Sequence, residues 1–370
     1  MKFLKRTRFL CITIGVLIIS SAVNGQIDRH DFRVPNGETI PVTKFEDKIR
    51  KVMDSLDYPG ISISIINNSK IVYSNVFGLA NSETIEKVTV ETVFQGASLS
   101  KPLFAYFIMK MMEEGKINLD SPIFPFLEPV FPKEAIEENS LENYKLLTPR
   151  MILSHTTGIP NWTQGKPISI AFKPGTGFSY SGEAYQHLGA AFSLKNQIDW
   201  GRSLDKMIEE FVTKPLNMKR SFYVWDESFV NTTARGHSDG TMIPEINKYK
   251  KVGPGFSLHS NARDYAYFLL EMLDPKNIKI STRDTMLKEA FHFDENHKLF
   301  KETGQTGWGL GFAQKQTING LVHLHTGKNP GFECYAMFIP EQKYGFVIFG
   351  NANNLSPLLR SIETLIGKHF

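Results

Sequence analysis

Disulfide bonding is the first thing the sequence rules out. Its 370 residues include two cysteines, Cys11 and Cys334, and the first lies in a segment expected to be removed. One remaining thiol cannot close a bridge within the chain, so an oxidising compartment is permitted but not exploited. Cys334 sits in a periodic apolar run and reads as core rather than nucleophile. Long apolar runs are scarce. The run at residues 9–23 falls short of the roughly 20 residues a spanning helix prefers. Lys2, Lys5, Arg6 and Arg8 precede it, and Ala22-Val23-Asn24-Gly25 supplies small residues after it. This predicts a signal peptide at residues 1–25, with export to the periplasm or the medium. Retention would make it an anchor, the one membrane contact the sequence suggests.

An excess of charge is also lacking. The formal net charge is +4, and the leader carries four basic residues and no acidic ones, so the mature chain is about neutral. Neither nucleic acid nor a membrane surface is called for. There is no glycine-rich phosphate loop and no internal repeat. His323 and His325 share a strand face but have no further ligand pattern around them. No metal and no cofactor are expected.

What is present suits a large core, being 41% hydrophobic. Residues 43–56 place Phe45, Ile49, Val52, Met53 and Leu56 at helical spacing, and Tyr58-Pro59-Gly60 stops them. Residues 61–66 alternate Ile with Ser, Asn67-Asn68-Ser69-Lys70 is turn chemistry, and residues 71–77 complete a hairpin. Phe104, Phe107, Ile108, Met111 and Met112 predict a core helix. Residues 321–326, 335–339 and 345–350 read as strands, and Leu358, Leu359, Ile362, Leu365 and Ile366 as a closing amphipathic helix. Short connections favour antiparallel neighbours. The expectation is an α+β fold: an antiparallel sheet flanked by N- and C-terminal helices, with a second, mostly helical lobe. One domain spans 26–370, its α/β lobe at about 40–93 and 250–370 and its helical lobe at about 94–249. A monomer is expected.

Ser98-Leu99-Ser100-Lys101 fits S-x-x-K at the start of a helix, where spacing of three puts both side chains on one face. The helix N-terminus adds positive potential and free N–H groups. The pattern alone is common. Ser203 to Lys206 matches it too, and there Ser203 reads as a helix cap and Lys206 as solvated. Two more segments complete a set: Tyr180-Ser181-Gly182 after a turn-rich stretch, and His325-Thr326-Gly327 at a strand end. Nucleophile, base and a strand to align substrate are what acyl transfer needs. Gly96-Ala97-Ser98-Leu99-Ser100 misses the G-x-S-x-G elbow by its last glycine.

The order S-x-x-K, Y-S-x, H-T-G resembles the serine β-lactamase and penicillin-recognising family, in its branch of class C β-lactamases and D-Ala-D-Ala carboxypeptidases. Leu153-Ser154-His155-Thr156-Thr157-Gly158-Ile159-Pro160, Trp308-Gly309-Leu310-Gly311 and Asn329-Pro330-Gly331-Phe332 are similar to family segments. Tyr73-Ser74-Asn75 matches the family's Y-S-N literally, but it precedes Ser98 and reads as sheet packing. The resemblance implies a serine hydrolase, of β-lactamase, carboxypeptidase or esterase type. Its nucleophile would be Ser98, with Lys101 and Tyr180 sharing the role of base. His325, Thr326, Gly327 and Lys328 would bind substrate, a small molecule or a peptidoglycan peptide, and the N–H groups of Ser98 and Lys328 would form an oxyanion hole. The alternative is a catalytically inactive penicillin-type sensor. Two departures stand out. Gly182 replaces the Asn of Y-x-N, removing an amide that contacts the acyl side chain. His325 replaces the Lys of K-T-G, so a positive charge there is expected to depend on pH.

Overall fold

The computed structural model describes residues 29–367, so the expected signal peptide lies outside the described residues. Helix α1 (Val42–Leu56) buries Phe45, Ile49, Val52 and Met53 along one face and stops at Asp57, which adopts a left-handed φ of 47°. Strands β1 (Gly60–Asn67) and β2 (Lys70–Asn81) form the expected hairpin. Tyr73-Ser74-Asn75 lies within β2. Tyr73 is fully buried, Ser74 shares a 2.9 Å hydrogen bond with Ser64, and Asn75 donates to Glu46. After the short β3 (Glu86–Lys87), β4 (Phe94–Ala97) leads into α2 (Ser100–Glu113). Ten of the first eleven side chains of α2 are buried, as befits a helix apolar all round and sunk in the core.

The next segment alternates short helices with loops. Helix α3 (Pro149–Leu153) is followed by α4 (Gly182–Lys195) and α5 (Arg202–Ile208). Ser203 does not cap α5. Gly201 holds the N-cap position, and the Asp199 carboxylate accepts from the N–H groups of Gly201 and Ser203. Aspartate, a stronger acceptor two residues upstream, takes the task. Lys206 is exposed, as expected.

Strand β5 (Leu258–Ser260) pairs with β4 and leads to α6 (Ala262–Leu273). Then come β6 (Phe291–His292), β7 (Gly307–Trp308), β8 (Ala313–Thr317), β9 (Gly320–Asn329), β10 (Phe332–Ile339), β11 (Tyr344–Gly350) and the closing α7 (Leu355–Ile366). Nine strands form one sheet in the order β6-β7-β8-β9-β10-β11-β1-β2-β3, antiparallel at every step. This is the expected α+β architecture. On one face Ile61, Ile63, Met337 and Ile348 meet α1 and α7. On the other, Ala336, Phe338, Val347 and Phe349 join a core that continues through α6 and α2 to α4. Both faces are thus covered. The N-terminus of α2, the start of α4 and the far end of β9 converge beside the second core. No helix among the described residues is long and apolar enough to cross a membrane.

Candidate active site

Ser98 sits in the turn between β4 and α2. Ala97, just before it, has a φ of 45°, a left-handed conformation that costs a residue with a Cβ about 1–2 kcal/mol. Local bonds hold it there. Ser100 Oγ donates to the Ala97 carbonyl at 2.5 Å, Leu99 N to Gly96 O at 2.8 Å and Lys101 N to Ser98 O at 3.0 Å. The turn leaves Ser98 partly exposed while Ala97, Leu99, Ser100 and Lys101 are buried.

Lys101 Nζ donates to Ser98 Oγ at 3.0 Å and to the Gly255 carbonyl at 2.8 Å, and lies 4.7 Å from the centre of the Tyr180 ring. Burial lowers its pKa from 10.5 to about 7, because a dry environment penalises the charged form. Tyr180 hydrogen-bonds the Ser98 hydroxyl, but burial outweighs that bond and raises its pKa, so the phenol is protonated at neutrality.

His155 backs this tyrosine, a role that exceeds the ordering of its own turn. Its Nδ1 accepts from the Ser181 N–H at 3.0 Å, and its ring lies 4.4 Å from that of Tyr180 and 5.0 Å from Trp308. Burial keeps it neutral, well below the usual histidine range. Ser181 then caps α4, accepting from Ala184 N at 2.9 Å. The motif Leu153 to Pro160 pointed to this region, but nothing in the sequence placed His155 against Tyr180.

Strand β9 supplies the fourth wall. Gly327 is required by close approach: a Cβ there would come 2.4 Å from Cys334 Sγ, 2.7 Å from Gly96 O and 3.1 Å from Ser98 N. Cys334 is buried core, its thiol donating to Gly96 O at 3.0 Å. Thr326 and Lys328 face solvent, whereas His325 is buried. The conditional charge expected at His325 is overturned by that burial. Desolvation, helped by nearby Lys101, lowers its pKa to about 3, and its Nδ1 donates to the Thr326 carbonyl at 2.7 Å. His325 is a neutral ring at any ordinary pH. His323 lies over Phe338, centroids 5.1 Å apart, and burial holds it neutral too.

A family model described as Beta-lactamase matches residues 45–368. The chain belongs to the beta-lactamase family. It is 24% identical over 349 residues to a beta-lactamase of Pseudomonas fluorescens, covering 83% of this chain and 92% of that one. Among solved structures it resembles the octameric penicillin-binding protein homologue from Pyrococcus abyssi, with a TM-score of 0.73 and 24% identity over 88% of this chain and 77% of the other. A D-alanine carboxypeptidase, AmpC, from Burkholderia cenocepacia matches with a TM-score of 0.70 and 17% identity over 87% of this chain and 99% of that one. At such identities the two structures establish the fold.

Two further contacts shape the polar side of the site. The Lys328 ammonium pairs with the Glu333 carboxylate at 2.8 Å. Glu333, the more buried partner, also accepts from Leu355 N. At Gly182 the missing side chain is replaced by a neighbour, since a Cβ would come 2.4 Å from the Trp162 indole. Gly255, Glu333 and Trp162 carried no signal in the sequence. A carbonyl acceptor is the same atom on any residue, and the two side chains act through tertiary contacts, Glu333 from strand β10 and Trp162 from a loop.

Proposed function

We propose that the chain is an exported serine hydrolase that forms an acyl-enzyme on Ser98 and acts on amide or ester carbonyls. The observation that carries this is the Lys101 amine, 3.0 Å from Ser98 Oγ and about half unprotonated near pH 7 through burial. In acylation, Lys101 Nζ takes the Ser98 proton as Oγ bonds to the carbonyl carbon. When the tetrahedral intermediate collapses, the protonated Tyr180 phenol donates to the leaving group and regains a proton from the Lys101 ammonium. Water repeats the steps in reverse roles and releases the acid. The turn N–H of Ser98, against which β9 runs, is suited to stabilise the oxyanion.

Electrostatics favour substrates without a free carboxylate near β9. His325 carries no charge, and the Lys328 charge is already matched by Glu333. Neutral esters and amides therefore suit the site better than peptides ending in D-alanine or β-lactams bearing a carboxylate. Export is part of the same reading and rests on the basic-then-apolar order of residues 1–25.

Mass spectrometry of protein treated with a fluorophosphonate tests the assignment. The reagent is expected to add mass to the peptide containing Ser98, and Ser98→Ala to lower ester turnover by ~10³ or more. Modification at Ser203 instead, or full turnover by Ser98→Ala, sinks it.

A further inference from the structure

Beside the Ser98–Lys101 pair stands an aromatic wall that the proton transfers above do not use. It begins at Gly182, the first residue of α4. A Cβ on Gly182 would lie 2.4 Å from Trp162 Cζ2 and 2.6 Å from Cη2, so the six-membered ring of the indole occupies the space a side chain would need. Gly182 in turn backs onto Gly255, where a Cβ would lie 3.3 Å from Gly182 Cα and 3.4 Å from Lys101 Nζ. Gly255 gives its carbonyl to Lys101. The next residue, Phe256, meets Trp162 edge-on with centroids 5.7 Å apart. From Ser98, a chain of contacts therefore leads through the buried Lys101 and Gly255 to two rings that are themselves partly exposed.

The backbone that carries the indole is tied down on both sides. Asn161 Oδ1 accepts from Gly182 N at 2.9 Å, and Asn161 O from Glu183 N at 2.9 Å. Thr163 donates through N and Oγ1 to the Glu183 carboxylate at 3.2 and 3.3 Å. The residues on each side of Trp162 are thus tied to the start of α4. Yet Trp162 is 42% exposed, and Phe256 is partly exposed. A ring carried on a backbone so tethered and packed against Gly182 and Phe256, with apolar area left open near Ser98, is a pre-organised platform for another flat group.

We propose that Trp162 and Phe256 form a subsite for an aromatic or flat apolar group of the substrate, adjoining the carbonyl that Ser98 attacks. The proposal rests on the hydrolase reading above and names the class of substrate that reading left open. Gly182 is the residue that makes room for the platform.

Hydrolysis of ethyl acetate, ethyl phenylacetate and benzyl acetate, followed in a pH-stat, tests it with aromatic groups on either side of the ester. At least one aromatic ester is expected to exceed ethyl acetate in kcat/KM by roughly tenfold or more. Trp162→Ala should cut that ratio by about the same factor, and Trp162→Phe should retain much of it. Gly182→Ala keeps the tryptophan but displaces it, and should cut the ratio as well. No aromatic preference, or one that survives both Trp162→Ala and Gly182→Ala, overturns the subsite. Binding to Ser98→Ala protein, measured by NMR with acetamide, phenylacetamide and N-benzylacetamide, reads the subsite without any reaction. If the wild type hydrolyses none of these esters or amides and Ser98 takes no fluorophosphonate, while this variant binds an aromatic amide over acetamide in a Trp162-dependent way, the hydrolase reading falls and the subsite stands. Equal binding of the three amides overturns the subsite itself.

Discussion

Replacing Lys101 with Met separates two consequences of burying an amine beside a nucleophile. Burial moves its pKa from 10.5 to about 7. At 1.36 kcal/mol per unit this is about 5 kcal/mol. The unfolded chain titrates at the ordinary value and therefore holds the extra proton between about pH 7 and 10.5. Stability consequently rises with pH across that window and is lost as pH falls through it, with the whole penalty present below about pH 7. Methionine removes the penalty but leaves the Gly255 carbonyl without its donor, a loss of about 1–3 kcal/mol. The variant should therefore be more stable than the wild type at pH 6 by about 2–4 kcal/mol, and less stable above pH 10 by about 1–3 kcal/mol. Urea unfolding at several pH values reads this crossover. Kinetically, kcat/KM of the wild type for a neutral ester should rise tenfold per unit up to about pH 7 and then level, because the free amine is the active form. An unburied lysine would have about 3 parts in 10⁴ as free amine at that pH. A stability difference that does not change with pH, or an ascending limb centred above pH 9, refutes the reasoning.

Two further outcomes follow from the contacts around the site. Glu333→Gln should release the Lys328 charge, lowering KM several-fold for a substrate with a free carboxylate and not for its ester, with the gain fading in 0.5 M salt. Stability should move by less than about 1 kcal/mol, since the pair is largely exposed on the lysine side; parallel KM changes for acid and ester count against this. His155→Phe keeps the ring volume but strands the Ser181 N–H, at about 1–3 kcal/mol of stability. As a positioning residue behind Tyr180, His155 should show its loss in kcat with KM nearly unchanged, and a rise in KM alone speaks against that role.

Much of the fold was legible because its pieces are local. Isoleucine–serine alternation fixed the hairpin at β1 and β2, and helical spacing fixed α1 and α7. The contact between Ser98 and Lys101 is itself local, since a separation of three across a helix start brings two side chains together. Exposure on β9 was not legible. His323 and His325 alternate with Val322 and Leu324, which in a sheet wetted on one side would put the histidines in water. Here β9 lies between β8 and β10 in a sheet covered on both faces, so alternation separates two interiors rather than inside from outside. The partners of Lys101 were hidden for another reason. Gly255 lies 154 residues away, and only tertiary packing brings it near.

The burial that frees the Lys101 amine also accounts for the uncharged histidine beside it. Burial disfavours both cations, and the nearby Lys101 further lowers the tendency of His325 to hold a proton. A lysine at 325 would be a second unpaired charge facing the first, and one of the two would have to stay neutral. An imidazole that carries no charge avoids that conflict and leaves the Lys101 pKa to burial. The same dry wall that frees the amine near pH 7 thus removes the cation that would hold a substrate carboxylate. With Lys328 matched by Glu333 and the Trp162 indole standing where an amide could have been, the proposed subsite offers its binding energy through apolar contact. A neutral substrate with a flat group is the one predicted to use it.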